Sequence, residues 1–186
     1  MCHSSVHGFG KATLVPPHVR ARHVLEVGSR DVNGSLRSAV LKLGPVEYLG
    51  VDIESGPGVD QICDGCEIVE RFGEARWGLI VCTETLEHAL DWRGVVSNLK
   101  RALAVDGHLL LTTRSAGFPY HGHPFDYWRF EKSDMMHIFG DMTVLRIESD
   151  PEAPGVFVYM RKQSSFRERA LAAYNVASVA AKARSR

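Results

Sequence analysis

The sequence predicts an α/β domain in which a doubly wound, mostly parallel sheet of seven strands is closed by an antiparallel hairpin. Two observations carry this. Short apolar runs at 24–28, 47–52, 60–64, 77–83 and 108–113 alternate with segments of helical spacing, the rhythm of right-handed βαβ units on a parallel sheet. The last two runs, 143–149 and 156–162, are joined only by Asp150-Pro151-Glu152-Ala153-Pro154-Gly155. A parallel crossover needs a dozen or more residues, so this pair is antiparallel.

The elements follow in order. Residues 1–18, with His3, His7, Pro16, Pro17 and His18, read as an N-terminal arm that folds over the domain, and the domain itself spans 19–163. After the first strand, Asn33 or Ser35 caps a helix with Leu36, Ala39, Val40 and Leu43 on one face, and Gly44-Pro45 ends it. A short helix covers 67–72. The next carries Trp92, Val95, Val96, Leu99, Ala102 and Leu103 at helical spacing and stops at Asp106-Gly107. A long aromatic-rich loop fills 114–131, and Ser133 caps a short helix ending at Gly140. Residues 164–186 read as a basic C-terminal helix, with Phe166, Ala170, Ala173, Tyr174, Ala177 and Ala181 on one stripe and Arg167, Arg169, Lys182, Arg184 and Arg186 around it. The default reading of such a helix is a solvated one, with a homodimer or an anionic contact as the alternative.

Composition narrows the function classes. A chain of 186 residues with 45% hydrophobic and 24% charged residues is one ordinary globular domain. Lys plus Arg and Asp plus Glu both number 22, so no net field favours nucleic acid. No apolar run reaches the ~20 residues of a membrane span. The start, Met1-Cys2-His3-Ser4, lacks a signal-peptide pattern, so the expected location is cytoplasmic. The cysteines are Cys2, Cys63, Cys66 and Cys82; the single Cys63-x-x-Cys66 pair lacks the second pair a structural zinc site needs. No metal is expected.

The most informative stretch is Val24-Leu25-Glu26-Val27-Gly28-Ser29-Arg30-Asp31-Val32-Asn33-Gly34, followed about twenty residues on by Tyr48-Leu49-Gly50-Val51-Asp52. Strand, turn, helix, strand and terminal acid make a nucleoside site, with the backbone close to the ligand and the acid accepting from both ribose hydroxyls. The turn is a poor cradle for pyrophosphate, because bulky Arg30 and Val32 stand where a dinucleotide loop needs glycine. An acid two residues before the first glycine suits instead a ligand carrying an ammonium or sulfonium.

On these residues the chain resembles the class I S-adenosylmethionine-dependent methyltransferases, especially the small type 11 branch, over roughly residues 20 to 162. Glu26 and Gly28 match the family's E-x-G-x-G-x-G motif, Arg30 and Val32 replace its later glycines, and Gly34 supplies one further on. The resemblance implies a Rossmann-like fold, a parallel sheet with the late antiparallel hairpin, and S-adenosylmethionine as cofactor. It also implies a small-molecule or sugar-like methyl acceptor, methylated on oxygen or nitrogen. Glu26, Gly28, Ser29, Arg30 and Gly34 then hold the methionine end, with Asp52 on the ribose and Ile53 on the adenine face. Asp64-Gly65 meets the adenine amino group, Asp64 having helix capping as its structural alternative. Val81-Cys82-Thr83-Glu84-Thr85-Leu86-Glu87-His88 resembles the family's fourth motif, and Thr83 and Glu84 line the sulfonium side.

Methyl transfer needs alignment and at most one or two acid–base groups. His88 is one candidate base; its alternative is a packing histidine bonded to a backbone carbonyl. The segment Gly117-Phe118-Pro119-Tyr120-His121-Gly122-His123-Pro124-Phe125-Asp126-Tyr127-Trp128-Arg129-Phe130 suits a substrate lid, with His121, His123 and Tyr127 facing substrate, Trp128 and Phe130 packing inward, and Asp126 pairing with Arg129. The expected catalytic groups are His123, His88 and Tyr127. Asn-Pro-Pro-Tyr, Asp-Pro-Pro-Tyr and Pro-Cys, the marks of base methylation in nucleic acid, are absent. An NAD-type oxidoreductase, a non-catalytic S-adenosylmethionine-binding protein and a nucleic-acid methyltransferase stay open as other readings.

Overall fold

The computed structural model describes residues 4–122 and 125–179. Its elements are α1 (Ser4–Thr13), α2 (Pro16–Val19), β1 (His23–Val27), α3 (Arg37–Leu41), β2 (Glu47–Asp52), β3 (Gln61–Ile62), α4 (Ile68–Phe72), β4 (Trp77–Thr83), a 3-10 turn (Leu86–His88) and α5 (Trp92–Ala102). There follow β5 (Leu103–Arg114), β6 (Trp128–Arg129), α6 (Lys132–Ile138), β7 (Thr143–Ser149), β8 (Gly155–Arg161) and β9 (Ala177–Ser178). Seven strands form one sheet in the order β3-β2-β1-β4-β5-β8-β7. All neighbours are parallel except β8, which runs antiparallel to both β5 and β7. The expected fold class is therefore the observed one.

Strand alternation sends side chains to two apolar layers. Leu25, Val27, Ile80, Cys82, Leu109 and Leu111 face the layer that holds Val95, Val96 and Leu99 of α5 and Met135 and Ile138 of α6. Val24, Leu79, Val81, Leu110, Phe157 and Tyr159 face the layer that holds Val6 and Phe9 of α1, Val19 of α2 and Val40 of α3. Residues 4–18, expected as an arm over the domain, thus form two helices that cover one sheet face.

Four local expectations are corrected. α5 ends at Ala102 instead of running to Asp106-Gly107, and Leu103 opens β5. The helix after β1 is shorter than its apolar stripe implied, Arg37–Leu41, and neither Asn33 nor Ser35 occupies its cap position, which falls to Leu36. Ser133 does not cap α6: Glu131 does, in a capping box with Asp134, each side chain accepting from the other residue's backbone N–H. The largest correction is the C-terminal segment. Residues 164–178 run as turns and extended chain, with β9 pairing antiparallel to β6. The cause is tertiary. Arg93 Nε donates to the Leu171 carbonyl (3.0 Å), the Tyr174 hydroxyl to Asp134 (2.6 Å) and the Arg169 backbone N–H to Asp141 (2.8 Å). These bonds hold the chain open against the helical propensity of its alanines. The rest of the expected helix, 180–186, lies outside the described residues.

Candidate active site

The carboxyl ends of β1, β2 and β4 open onto a cavity of about 570 Å³, within the range of small-ligand sites. At its β1 end Glu26 is 2% exposed. Its carboxylate accepts from the Ser35 hydroxyl (2.9 Å) and the Tyr48 hydroxyl (2.7 Å). Burial outweighs those hydrogen bonds and pushes its pKa up to about 6. Burial, and then Glu26 itself, raise Tyr48 as well, so the phenol stays a donor. The turn after β1 needs its glycine. Gly28 has φ +74°, and a Cβ there sits 1.9 Å from Thr85 Oγ1. Gly34, at φ +110°, has His7 of α1 against it in the same way.

At the β2 end, Asp52 accepts from the backbone N–H of Arg30 (3.1 Å) and of Glu54 (3.1 Å), one on each oxygen. A carboxylate offers about four acceptor sites, so half remain open to the cavity. The Arg30 side chain turns outward to an ion pair with Glu54. Ile53 is 55% exposed beside the opening. Asp64 accepts from the Cys66 backbone N–H (2.8 Å) in a turn of its own, and the cap position of α4 belongs to Glu67. Helix capping is therefore not its role. Burial raises both thiols of the Cys63/Cys66 pair, Cys66 to about 12, which keeps them protonated.

The far wall is a polar network under the end of β4. Glu84 adopts φ +53° and is buried, accepting from Thr112 Oγ1 (2.8 Å) and pairing with Arg114. Arg114 also pairs with Asp150 at 2.9 Å. Burial and the neighbouring Glu87 push Glu84 up to about 8. Glu87 is fully buried and accepts from Thr113 Oγ1 (2.8 Å). Burial opposes its ionisation, but the facing His121 and His88 imidazoles keep it below the usual carboxylate range. His88 Nδ1 donates to the Phe125 carbonyl, the packing arrangement considered for it, while its ring still lines the cavity. His121 Nδ1 bonds Asp126 (2.9 Å), and Asp126 is held in turn by Arg129 (2.7 Å).

The 117–130 segment, expected as a substrate lid, is anchored at its second half. Trp128 Nε1 donates to the Ala89 carbonyl (2.8 Å), Phe130 packs edge-on to Trp92, and the Tyr127 backbone N–H reaches the Glu87 carbonyl (2.9 Å). Across β6, the Val179 N–H donates to the Tyr127 carbonyl (2.8 Å), so the C-terminal segment pins the lid.

A family model described as a methyltransferase domain matches residues 10–172. The chain belongs to that family. Among solved structures it is similar to the 1,6-didemethyltoxoflavin-N1-methyltransferase of Burkholderia thailandensis, with bound 1,6-didemethyltoxoflavin and S-adenosylhomocysteine (17% identity, 85% of this chain, 78% of that one, TM-score 0.69). It is similar also to an S-adenosylmethionine-dependent methyltransferase from Mesorhizobium loti (14% identity, 86% and 98%, TM-score 0.65). A third is phosphoethanolamine N-methyltransferase 2 of Haemonchus contortus in complex with S-adenosylmethionine (14% identity, 87% and 52%, TM-score 0.65). No curated protein sequence matches this chain.

Within this methyltransferase fold, each residue expected at the cofactor, from Glu26 through Asp52 and Asp64 to Thr83 and Glu84, lines the one cavity. His88 and Tyr127 line it too, whereas His123 lies outside the described residues. Sequence reasoning passed over the partners. Ser35 and Tyr48 clamp Glu26, Arg114 pairs with Glu84, and Glu87 faces His121. A sequence-level signal for the last existed in Glu84 and Glu87, two acids three residues apart directly after a fully apolar strand.

Proposed function

We propose that this chain transfers the methyl group of S-adenosylmethionine to an oxygen or nitrogen of a small-molecule acceptor. The observation that carries the reading is the pair of half-satisfied acids lining one cavity: Glu26 in β1 and Asp52 at the end of β2, each with acceptor sites left over. An aminoacyl nucleoside has matching groups at matching ends. Its ammonium neutralises Glu26, its ribose hydroxyls donate to Asp52, its adenine lies on Ile53, and its amino group reaches Asp64. A pyrophosphate in that place meets Glu26 as a like charge, which speaks against a dinucleotide.

The acceptor then occupies the other half of the cavity, under Phe125 and Tyr127 of the lid and against His88 and His121. Bound S-adenosylmethionine supplies an activated methyl group. The chain's own residues align the nucleophile, exclude water and manage its proton at the histidine wall. The balanced neutral charge supports a small acceptor over nucleic acid. A thermal-shift titration tests the reading: S-adenosylhomocysteine raises the melting temperature and NAD and NADP do not. A shift with NAD alone reverses the assignment to an oxidoreductase.

A further inference from the structure

Glu87, His88 and His121 each offer one ligand atom, and the three atoms lie within 4.8 Å of one another at the histidine wall of the cavity. The sequence hides this group, because the lid fold alone returns His121 to the Glu87-His88 pair. Glu87 is fully buried, and its Oε1 has no hydrogen-bond partner; His121 Nε2, 3.7 Å away, is equally orphaned. A gap of that length is too wide for a hydrogen bond. Two buried polar atoms left facing each other are costly unless a third body sits between them.

The outer contacts of the group have the form of a ligand shell. The Phe125 carbonyl can only accept, so His88 Nδ1 carries the hydrogen and its Nε2 lone pair is free. Asp126 fixes His121 the same way through Nδ1 (2.9 Å), backed by Arg129 (2.7 Å), and Thr113 holds the second oxygen of Glu87 (2.8 Å). Histidine ligands that give their other N–H to a carboxylate or carbonyl are the usual supports of a metal centre.

We propose that Glu87, His88 and His121 bind a divalent transition-metal cation, with its open coordination position turned to the cavity. Two imidazole nitrogens and one carboxylate oxygen suit Zn²⁺, Mn²⁺ or Fe²⁺ over Mg²⁺ or Ca²⁺, which take oxygen ligands. The role of the cation, though not its binding, rests on the methyl-transfer reading above. An acceptor hydroxyl on the open position loses its proton to solvent more readily. Its oxygen then forms the bond to the methyl carbon as the carbon–sulfur bond breaks and neutral S-adenosylhomocysteine leaves.

The test is a Co²⁺ titration of the untagged, chelator-treated chain, read by visible absorption, with an S-adenosylhomocysteine thermal shift run in parallel. The expected result is one Co²⁺ per chain. His88→Gln and His121→Gln should each weaken it about 100-fold or more, and Asp126→Asn about 10–100-fold. His88 is only half-buried, so its variant keeps the test usable if changes at buried Glu87 prevent folding. No Co²⁺ uptake by a wild-type chain that still binds S-adenosylhomocysteine overturns the metal site and leaves the proposed function. Affinity unmoved in both histidine variants also overturns it. Co²⁺ uptake without any S-adenosylhomocysteine shift supports the site and defeats the methyl-transfer reading instead.

Discussion

Replacing Glu26 by Gln should make the ligand-free protein more stable and the cofactor complex weaker. Burial raises this carboxyl from 4.5 to about 6 in the folded chain. The folded state then holds its proton more tightly than the unfolded state, so stability falls as pH rises from 4.5 through 6 and stays low above. One unit is worth about 1.4 kcal/mol, which puts the cost at neutral pH at about 2 kcal/mol. Glutamine keeps the volume and accepts one of the two hydroxyls, while Ser35 or Tyr48 turns its oxygen to the new amide. Urea denaturation of both proteins from pH 4 to 8 reads the effect as a difference, in which other titrating groups cancel. The variant should gain about 2 kcal/mol on wild type at pH 8, and the gain should vanish below about pH 4.5. S-adenosylhomocysteine affinity should drop about tenfold at pH 8, because a charge-assisted contact of about 1.5 kcal/mol or more is lost. A stability difference that does not change with pH refutes the argument from burial.

Other outcomes follow from the same structure. Gly28→Ala forces a left-handed backbone on a Cβ that strikes Thr85, so it should cost about 1–3 kcal/mol from the backbone alone in urea denaturation and more with the clash. Phe130→Ala removes a fully buried ring packed edge-on to Trp92 and should cost about 3–5 kcal/mol by the same assay. Arg93→Gln frees the C-terminal segment from α5 and should speed hydrogen exchange at the Val179 amide, which β9 docking protects, with α5 amides unchanged.

The fold was largely legible because each main strand is a short apolar run and each covering helix keeps one apolar face. The short link of residues 150–155 was enough to fix the antiparallel end of the sheet. The cavity wall made by β1 and β2 was legible for the same reason: Glu26 within β1, Gly28 just after it and Asp52 ending β2 are fixed by a local pattern. The 117–130 segment was legible in part: the Asp126–Arg129 pair and inward-packing Phe130 follow from local composition. That His121 reaches Glu87, with Asp126 behind it, depends on loop geometry that no spacing encodes. The C-terminal stripe misled because alanines, Phe166 and Tyr174 recur at helical intervals, while Arg93, Asp134 and Asp141 hold that segment open from elsewhere in the chain. Glu131 is hard to read as a cap because glutamate lies outside the short side chains Ser, Thr, Asp and Asn preferred there, and Ser133 stands two residues on.

The most direct measurement is a calorimetric titration of S-adenosylhomocysteine into the wild-type chain and into Asp52→Ala. Asp52 lies at a strand end, half-buried, with two backbone donors that water can serve after truncation, so the variant should fold. If the cavity holds an aminoacyl nucleoside between Glu26 and Asp52, wild type binds one equivalent and the variant binds at least about tenfold more weakly, from the loss of two hydrogen bonds to a charged group. No heat with wild type, or equal affinity in a folded variant, contradicts the central claim and places the cavity's ligand in another class.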